Sequence, residues 1–444
     1  MKKIYGIFDV IVVGGGTAGA VAGITAARHG LKTLILEQFG FLGGSQTGAL
    51  VTPMMDLIIH GKPEISSIDR EIKMRLENLK EGRDNWFNCE ALKFVLEDMF
   101  LQAGGKLLYF THVIDVVKER DKLTGVVFHN KSGIQTAYSK VIIDCSGDAD
   151  VAYMAGVSFE SGKNNTGLNQ PMSVRFEMTN INLERFGKFL KELGQDEDTE
   201  VENLYGAHTL EQQWPLTPIF EQGVKQGIIL EEDSRYFQFF AIPGKPGTLT
   251  FNCPEIINNI DGTNADHLTL AMVEGRRAIK RLVDFMKKYF PGFEDAFLLM
   301  VAPMVGVRES RRIIGKYMLT AQDVAEYKKF DDGIAKCNYY MDIHNMTQED
   351  KERLEKLKFN HFESEKRYFE IPFRCCVPRN IENILVAGRC VSADFEAQSA
   401  LRIQQVCRAL GEACGHAAYI AIRKNQSIWQ IDGREVRSLM SQCI

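Results

Sequence analysis

Phe8-Asp9-Val10-Ile11-Val12-Val13 runs directly into Gly14-Gly15-Gly16-Thr17-Ala18-Gly19. The apolar, β-branched run from Val10 to Val13 has the unbroken hydrophobicity of a strand buried on both faces of a parallel sheet. Gly14, Gly16 and Gly19 stand at G-x-G-x-x-G spacing. The first allows a tight turn, the second lets backbone approach a pyrophosphate, and the third lets helix and strand pack closely. A helix opening at Thr17 and Ala18 offers free amides and a positive dipole end to a doubly charged phosphate linkage. That helix is expected to run from Thr17 to about His29 and to stop at Gly30, a residue suited to the left-handed position beyond a helix. A second apolar strand, Thr33-Leu34-Ile35-Leu36, ends on Glu37 and Gln38. Glu37 lies 18 residues beyond Gly19, close to the spacing of about 20 expected of an acid that accepts hydrogen bonds from a ribose. Strand, glycine turn, helix, strand and acid in this order predict a site for an adenine dinucleotide.

The chain has 444 residues, too many for one simple core, so two interwoven domains are expected. Hydrophobic residues make up 45% and charged residues 25%, a globular profile. A formal net charge of −5 and the lack of a Lys/Arg-rich tail argue against nucleic-acid partners. Met1-Lys2-Lys3 followed by apolar residues imitates a signal peptide, but Asp9 interrupts that run and the first strand already needs it. No apolar stretch is long enough to span a membrane, and a cytoplasmic protein is expected. The 10 cysteines, among them Cys375-Cys376 and Cys443, contain no C-x-x-C pair. Neither a dithiol redox motif nor a metal site is signalled, and buried, reduced thiols are expected.

Three further segments favour FAD over a nicotinamide cofactor. The glycine-rich loop Gly40 to Gly48, with Gly43, Gly44, Ser45 and Thr47, lies where an FAD must thread its ribityl chain and a nicotinamide dehydrogenase needs no loop. Strand-like stretches at Lys106 to Lys118, Thr124 to Asn130 and Ile134 to Cys145 are separated by turn signals at Asp121-Lys122 and Lys131-Ser132-Gly133. They end in Val141-Ile142-Ile143-Asp144-Cys145-Ser146-Gly147-Asp148. Near the C-terminus, Ile384-Leu385-Val386-Ala387-Gly388-Arg389 leads through a polar loop to a helix expected from about Ala400 to Arg423. A helix N-terminus there would stabilise negative charge on a reduced flavin. Gly411, Ala413, Cys414, Gly415, Ala417 and Ala418 give that helix a small-residue face for close packing.

Together these segments resemble the FAD-dependent oxidoreductases related to fumarate reductase and L-aspartate oxidase flavoproteins, with a glutathione-reductase-type FAD fold. More narrowly, the chain is similar to a bacterial subfamily of FAD-dependent oxidoreductases. That likeness rests on Gly306 to Gly315, Met341-Asp342-Ile343-His344, Ile371 to Cys375 and the block from Leu385 to Ala418. The resemblance implies that 106–145 is a β-meander, that the Val113 backbone contacts adenine, and that Cys145, Ser146, Gly147 and Asp148 pass the ADP half. It also implies cofactor contacts from Gly388, Arg389, Gln398, Ser399 and Arg402. Phe395 stands where the subfamily often has His, so no role of that His carries over.

The expected architecture is α/β: a Rossmann-like FAD domain from residues 1–160 and 375–444, with an inserted α+β cap over 161–374. The cap lacks a second dinucleotide motif. It contains a loop at Asn164 to Pro171, an acidic connection at Gly194 to Glu202 and a solvated helix at Gln348 to Phe369. Arg308, Arg311 and Arg312 are candidates to hold a carboxylate or phosphate. A helix would put all three on one face, a strand would separate Arg311 from the others, and ion pairing with Glu309 would make them structural. His344 is the candidate acid/base group, and Arg374 could line the flavin face or form a salt bridge. The expected function is hydride transfer between flavin N5 and a small polar or anionic molecule, with an external electron donor or acceptor as a further partner. The alternatives are a thiazole-synthase-like enzyme that consumes a dinucleotide, a non-redox scaffold that keeps FAD for structure, and a tRNA-modifying flavoprotein.

Overall fold

The computed structural model describes residues 3–55, 57, 66–210, 213–256, 260–344, 346–357 and 367–442; Cys443 and the 358–366 part of the expected solvated helix lie outside them. The quoted stretch forms the strand Lys3–Val13, the glycine turn and the helix Thr17–Arg28. Val10 to Val13 pair in parallel with Thr33–Leu36 on one side and with Gly133–Asp144 on the other. Lys106–Leu108 extends the sheet in parallel beyond Thr33–Leu36.

Where the sequence pattern predicts one strand from Lys106 to Lys118, the chain forms two. Phe110 turns it at φ +52°, and Thr111 N donates to the Glu37 carbonyl at 2.9 Å. Lys106–Leu108 thus joins the parallel sheet, while His112–Glu119 opens an antiparallel meander with Lys122–Asn130 and Gly133–Asp144. The last strand is long enough to serve two partners along one edge. Its first half pairs with Lys122–Asn130, and Ile142 to Asp144 pair in parallel with Ile384–Val386. A segment far along the chain thereby closes the dinucleotide sheet.

The C-terminal helix is not continuous. Phe395–Leu401 and Gln404–Lys424 are separate helices with a break at Arg402-Ile403. The break lets Gln404 Nε2 donate to the Val51 and Pro53 carbonyls at 2.8 and 3.0 Å, and Gln405 Nε2 to Met55 at 2.6 Å. The small-residue face then crosses the glycine-turn helix at backbone contact. A Cβ on Gly411 would lie 2.1 Å from the Ala18 carbonyl oxygen, and one on Gly415 2.6 Å from Thr25 Cβ.

A second core lies over a five-stranded antiparallel sheet in the order Tyr205–Thr209, Tyr236–Ala241, Leu249–Phe251, Phe176–Thr179, Phe297–Val301. Phe186, Phe220, Phe237, Phe251, Phe285 and Phe293 are fully buried there, each contributing roughly 1.5–3 kcal/mol by removal from water. Leu319, Val324, Ile334, Phe369, Ile371 and Cys375 instead join the core of the dinucleotide sheet. Of the expected 348–369 helix, Gln348–Lys356 is helical, but Phe369–Pro372 is a strand paired with Gly333–Cys337. Phe369 is buried and belongs to the core rather than to a solvated face. The structure also decides between helix and strand for the arginines: Arg311–Ile313 is a strand paired with Phe159–Ser161. Among the described residues no helix is long and apolar enough to cross a membrane.

Gly411→Ala should lower stability by about 1–3 kcal/mol, the usual range for overpacking, because the helices must separate to admit the methyl. Urea unfolding of the variant beside the wild type measures it, and an unchanged midpoint would contradict the backbone contact.

Candidate functional site

The glycine turn is shaped by contacts that only hydrogen satisfies. Gly14 holds φ +88°, and a Cβ on it would lie 2.5 Å from the Cys145 carbonyl oxygen; one on Gly19 would lie 1.8 Å from the Gly14 carbonyl oxygen. Gly16 differs, since a Cβ there would meet only Gly44 Cα, at 3.7 Å. Its outer face is therefore open for close approach, as a pyrophosphate needs. The glycine-rich loop docks on the same turn. Gly43 N donates to the Gly15 carbonyl at 2.9 Å, Thr17 Oγ1 reaches the Gly43 carbonyl at 3.4 Å, and Thr47 Oγ1 donates to the Leu42 carbonyl at 2.7 Å. Gly43 and Gly44 hold φ +101° and +56°, and the Ser45 carbonyl accepts from Val51 N at 3.2 Å.

Glu37 is buried and braces this turn. Its Oε2 accepts from Gly15 N at 2.7 Å and its Oε1 from Phe39 N at 2.8 Å. Burial raises the carboxyl pKa, and the Phe39 and Gly15 amides oppose that shift. Gln38 beside it is exposed. Val113 lies in the meander opposite Phe128.

At the end of Gly133–Asp144 the fully buried Asp144 organises the next turn. Its carboxylate accepts from Ser146 N, Ser146 Oγ and Ala152 N at 3.0, 2.7 and 2.8 Å. Burial pushes its pKa up to about 6. Cys145 N donates to the Val13 carbonyl at 2.8 Å, and Gly147 takes φ +87° beneath the Arg389 guanidinium. Arg389 Nη2 and Ser310 Oγ both donate to Asp148 Oδ1, at 2.7 and 2.5 Å. Arg311 belongs here too: it donates to the Asp148 carbonyl at 3.0 Å and Asp150 Oδ1 at 2.8 Å, with its guanidinium 4.3 Å from the centre of the Tyr153 ring.

The other arginines diverge. Arg312 is buried and paired with Glu309, the structural arrangement foreseen for this cluster. Arg374 makes a fork with Asp332 at 2.9 and 3.0 Å and is half exposed. Arg308, by contrast, donates to the Pro171 carbonyl at 2.6 Å and Glu255 Oε1 at 2.8 Å. The same carboxylate oxygen lies 2.7 Å from His344 Nδ1. His344 Nε2 lies 3.4 Å from Asp342 Oδ1, and Asp342 Oδ2 accepts from Arg402 Nη2 at 3.0 Å.

Arg308, Glu255, His344, Asp342 and Arg402 thus form one mostly buried chain of alternating charge linking the cap to the helix break. Burial and Arg308 oppose ionisation of His344, but Asp342 and Glu255 together hold its pKa above the ordinary imidazole value. Burial also opposes ionisation of Asp342, yet His344, Arg402 and Arg308 pull its pKa well down. The Tyr236 ring stands edge-on to His344 with centroids 5.2 Å apart.

Sequence reasoning singled out Arg308, His344 and Arg402 separately and missed Glu255, Asp342, Tyr236 and Asp144. Asp342 carried a usable signal as a carboxylate two residues before the candidate histidine. Glu255 carried none, because only tertiary folding brings Cys253-Pro254-Glu255 against His344.

FAD fits these residues. Gly16 leaves backbone approachable, and the helix at Gln404 has no side-chain cap. Gln398 Oε1, Arg389 Nε and Arg402 Nε are buried without a hydrogen-bond partner; Gln398 Nε2 already donates to the Arg308 and Arg389 carbonyls. Ser399 is committed elsewhere, its hydroxyl donating to the Glu396 carbonyl at 2.6 Å. Among the described residues no His, Cys, Asp and Glu side chains gather as a metal site.

Glu37→Ala leaves the Gly15 and Phe39 amides without an acceptor, costing about 1–3 kcal/mol for each buried orphan. It should lower both the unfolding midpoint of the flavin-free protein and the ratio of flavin to protein absorbance after purification. Flavin loss with an unchanged midpoint would remove the bracing role.

Thiamine thiazole synthase of Methanococcus aeolicus is 34% identical over 156 residues, covering 32% of this chain and 57% of that protein. The tRNA uridine 5-carboxymethylaminomethyl modification enzyme of Alkaliphilus metalliredigens is 30% identical over 208 residues, 42% of this chain and 31% of that enzyme. The chain thus spans only about a third to just over half of the length of these relatives. Among solved structures, a geranylgeranyl bacteriochlorophyll reductase-like protein from Thermoplasma acidophilum aligns over 98% of this chain and 83% of its own, with a TM-score of 0.50 and 14% identity. A p-nitrophenol 4-monooxygenase from Pseudomonas putida covers 100% of this chain and 88% of its own, at a TM-score of 0.50 and 12% identity. These likenesses are of fold. The model of the family described as FAD dependent oxidoreductase matches residues 9–440. With nearly its whole length matched, the chain belongs to the FAD dependent oxidoreductase family, and FAD is its cofactor.

Proposed function

We propose that this protein transfers hydride between flavin N5 and a small polar or anionic organic substrate at the junction of the cap and the FAD core. The observation that carries this reading is the buried charge chain from Arg308 through Glu255, His344 and Asp342 to Arg402. When bound, FAD supplies the two-electron acceptor or donor.

The protein's residues handle orientation and the proton. Glu255, 2.7 Å from Nδ1, keeps that nitrogen protonated, while Nε2, with its partner at 3.4 Å, is the atom placed to exchange a proton with substrate. Arg308 and Arg402 orient the substrate and balance the two carboxylates. Arg311 and Arg374 serve the framework, since their carboxylate partners Asp150 and Asp332 stand outside this chain of charges.

The finer kinship proposed is with glutathione-reductase-type folds such as fumarate reductase and L-aspartate oxidase flavoproteins, supported by a parallel sheet that runs into a meander. A small-molecule substrate and an external electron partner complete the reading. A cytoplasmic location accords with nine described cysteines, all free and buried. The thiazole-synthase-like alternative needs a reactive thiol or imidazole at the site. Burial pushes the thiols of Cys145, Cys253, Cys375, Cys390 and Cys414 well above the ordinary range, which disfavours a route through a reactive thiol.

Anaerobic mixing of the flavin-loaded protein with small hydroxy acids and polyols should bleach the flavin band for a true substrate. His344→Gln should slow that bleaching about 10²–10⁴-fold, the worth of a positioned acid/base group, with flavin content unchanged. Bleaching at the wild-type rate would take His344 out of the reaction, and a protein unable to take up FAD would overturn the reading as a whole.

The raised pKa of His344 also has a definite sign. Stability from the imidazolium is fully present below the unfolded value of about 6.5 and is lost as pH rises through the higher folded value. Urea midpoints should therefore fall as pH rises above about 6.5 in the wild type, and more gently in His344→Gln.

A further inference from the structure

Arg175 lies where three backbone segments meet beside the flavin loop. Ser173 and Gly306 exchange backbone hydrogen bonds at 3.1 and 2.8 Å, Ala302 N donates to the Arg175 carbonyl at 2.9 Å, and Met304 N donates to the Gly48 carbonyl at 3.1 Å. Arg175 and Arg308 thus rise from adjoining segments of the same junction. Arg308 has a carboxylate, but Arg175 has none among the described residues. Among the described residues its guanidinium bonds only the Leu50 carbonyl, at 3.3 Å, although the residue is just 6% exposed. Leu50 itself holds φ +54°, a left-handed conformation uncommon for leucine.

The charges of the junction do not balance. Arg175, Arg308 and Arg402 face only Glu255 and Asp342 among the described residues. Burial lowers the Arg175 pKa to about 10, with repulsion from Arg308 adding to the effect, and the group still stays protonated at neutral pH. A buried guanidinium without an anion is costly. Donors are left over here: Ser173 Oγ, Gln170 Nε2 and Arg402 Nε are buried without a hydrogen-bond partner, against the one acceptor Gln398 Oε1 beside Arg308. Gln170 is fixed at this place by accepting from His344 N at 3.3 Å. Donors in surplus and a small excess of positive charge call for a singly charged acceptor.

We propose that Arg175 is a substrate-binding residue and that the substrate is a small organic acid whose carboxylate it takes, with Ser173 and Gln170 as further donors. This rests on the hydride-transfer reading and narrows its substrate class. No bond is made or broken at Arg175.

Titration of the FAD-loaded protein with acetate, lactate and succinate, each beside its neutral amide, tests the assignment by thermal melting and by perturbation of the flavin absorbance band. The acids should raise the melting temperature and perturb the band, and the amides should do neither. Arg175→Gln should weaken acid binding at least tenfold with flavin content unchanged, Arg175→Lys should keep part of it, and Ser173→Ala should cost a few-fold. If Arg175→Gln fails to fold by circular dichroism, the Lys and Ala variants carry the test. A flavin-loaded wild type indifferent to all three acids, or equal binding of acids and amides, would overturn the proposal while leaving the hydride-transfer reading intact. Unchanged acid affinity in Arg175→Gln together with a shifted flavin midpoint potential would also overturn it, since the charge would then serve the flavin. A wild type that cannot be loaded with FAD sinks the underlying reading instead, and the acid and amide melting curves still decide whether a carboxylate binds.

Discussion

Gly14 and Gly411 bring segments far apart in the chain into direct backbone contact, Gly19 closes the turn on Gly14, and a Cβ at any of the three would fall within 2.5 Å of a carbonyl oxygen. Overlap of that size cannot be absorbed by a rotamer change, because the opposing atom is backbone. The first strand, the helix it feeds, the turn after Asp144 and the long C-terminal helix therefore converge only if these positions carry hydrogen. That convergence packs Gly44 against Gly16, whose own outer face stays open, and it sets the uncapped start of Gln404–Lys424 at the same core. The candidate cofactor site is a consequence of the packing, held from the second strand by Glu37.

The cap meets this core through charge. Desolvating each ion costs several kcal/mol, and mutual attraction offsets that only where the geometry is good and the remaining polar atoms are bonded. The chain from Arg308 to Arg402 meets the first condition, with close contacts at nearly every step. It meets the second incompletely, since Gln170, Ser173, Gln398 and Arg402 keep buried atoms without partners. Purely structural networks in the same protein are better satisfied, as Arg312 shows with acceptors at Glu309, Gly162 and Ala393. The contrast separates a framework arginine from one poised for a ligand.

Local patterns carried far for the cofactor end and poorly for the reacting end. The strand–glycine–helix–strand–acid order was legible because each function there resides in a short segment, from Val10 to Gly19 and from Thr33 to Glu37. The start of the meander was misread because Phe110 in a left-handed conformation leaves no local trace. The break at Arg402-Ile403 was hidden as well, since its cause lies in the Gln404 and Gln405 contacts with the Val51 to Met55 segment. Arg308, Arg311 and Arg312 looked equivalent as neighbours in sequence, and their partners lie in three different parts of the fold.

By itself the sequence determined that a parallel sheet would present a glycine turn to an adenine dinucleotide, because hydrophobic periodicity and glycine spacing are local properties of the backbone. Only the tertiary structure decided which ionisable groups act together. Glu255 reaches His344 and Asp342 from a distant segment of the cap, Arg402 joins them from the core, and the energy of a buried charge depends on what surrounds it in space. The same holds for Arg175, an unremarkable arginine in sequence that becomes conspicuous once it is seen buried with a single carbonyl for company.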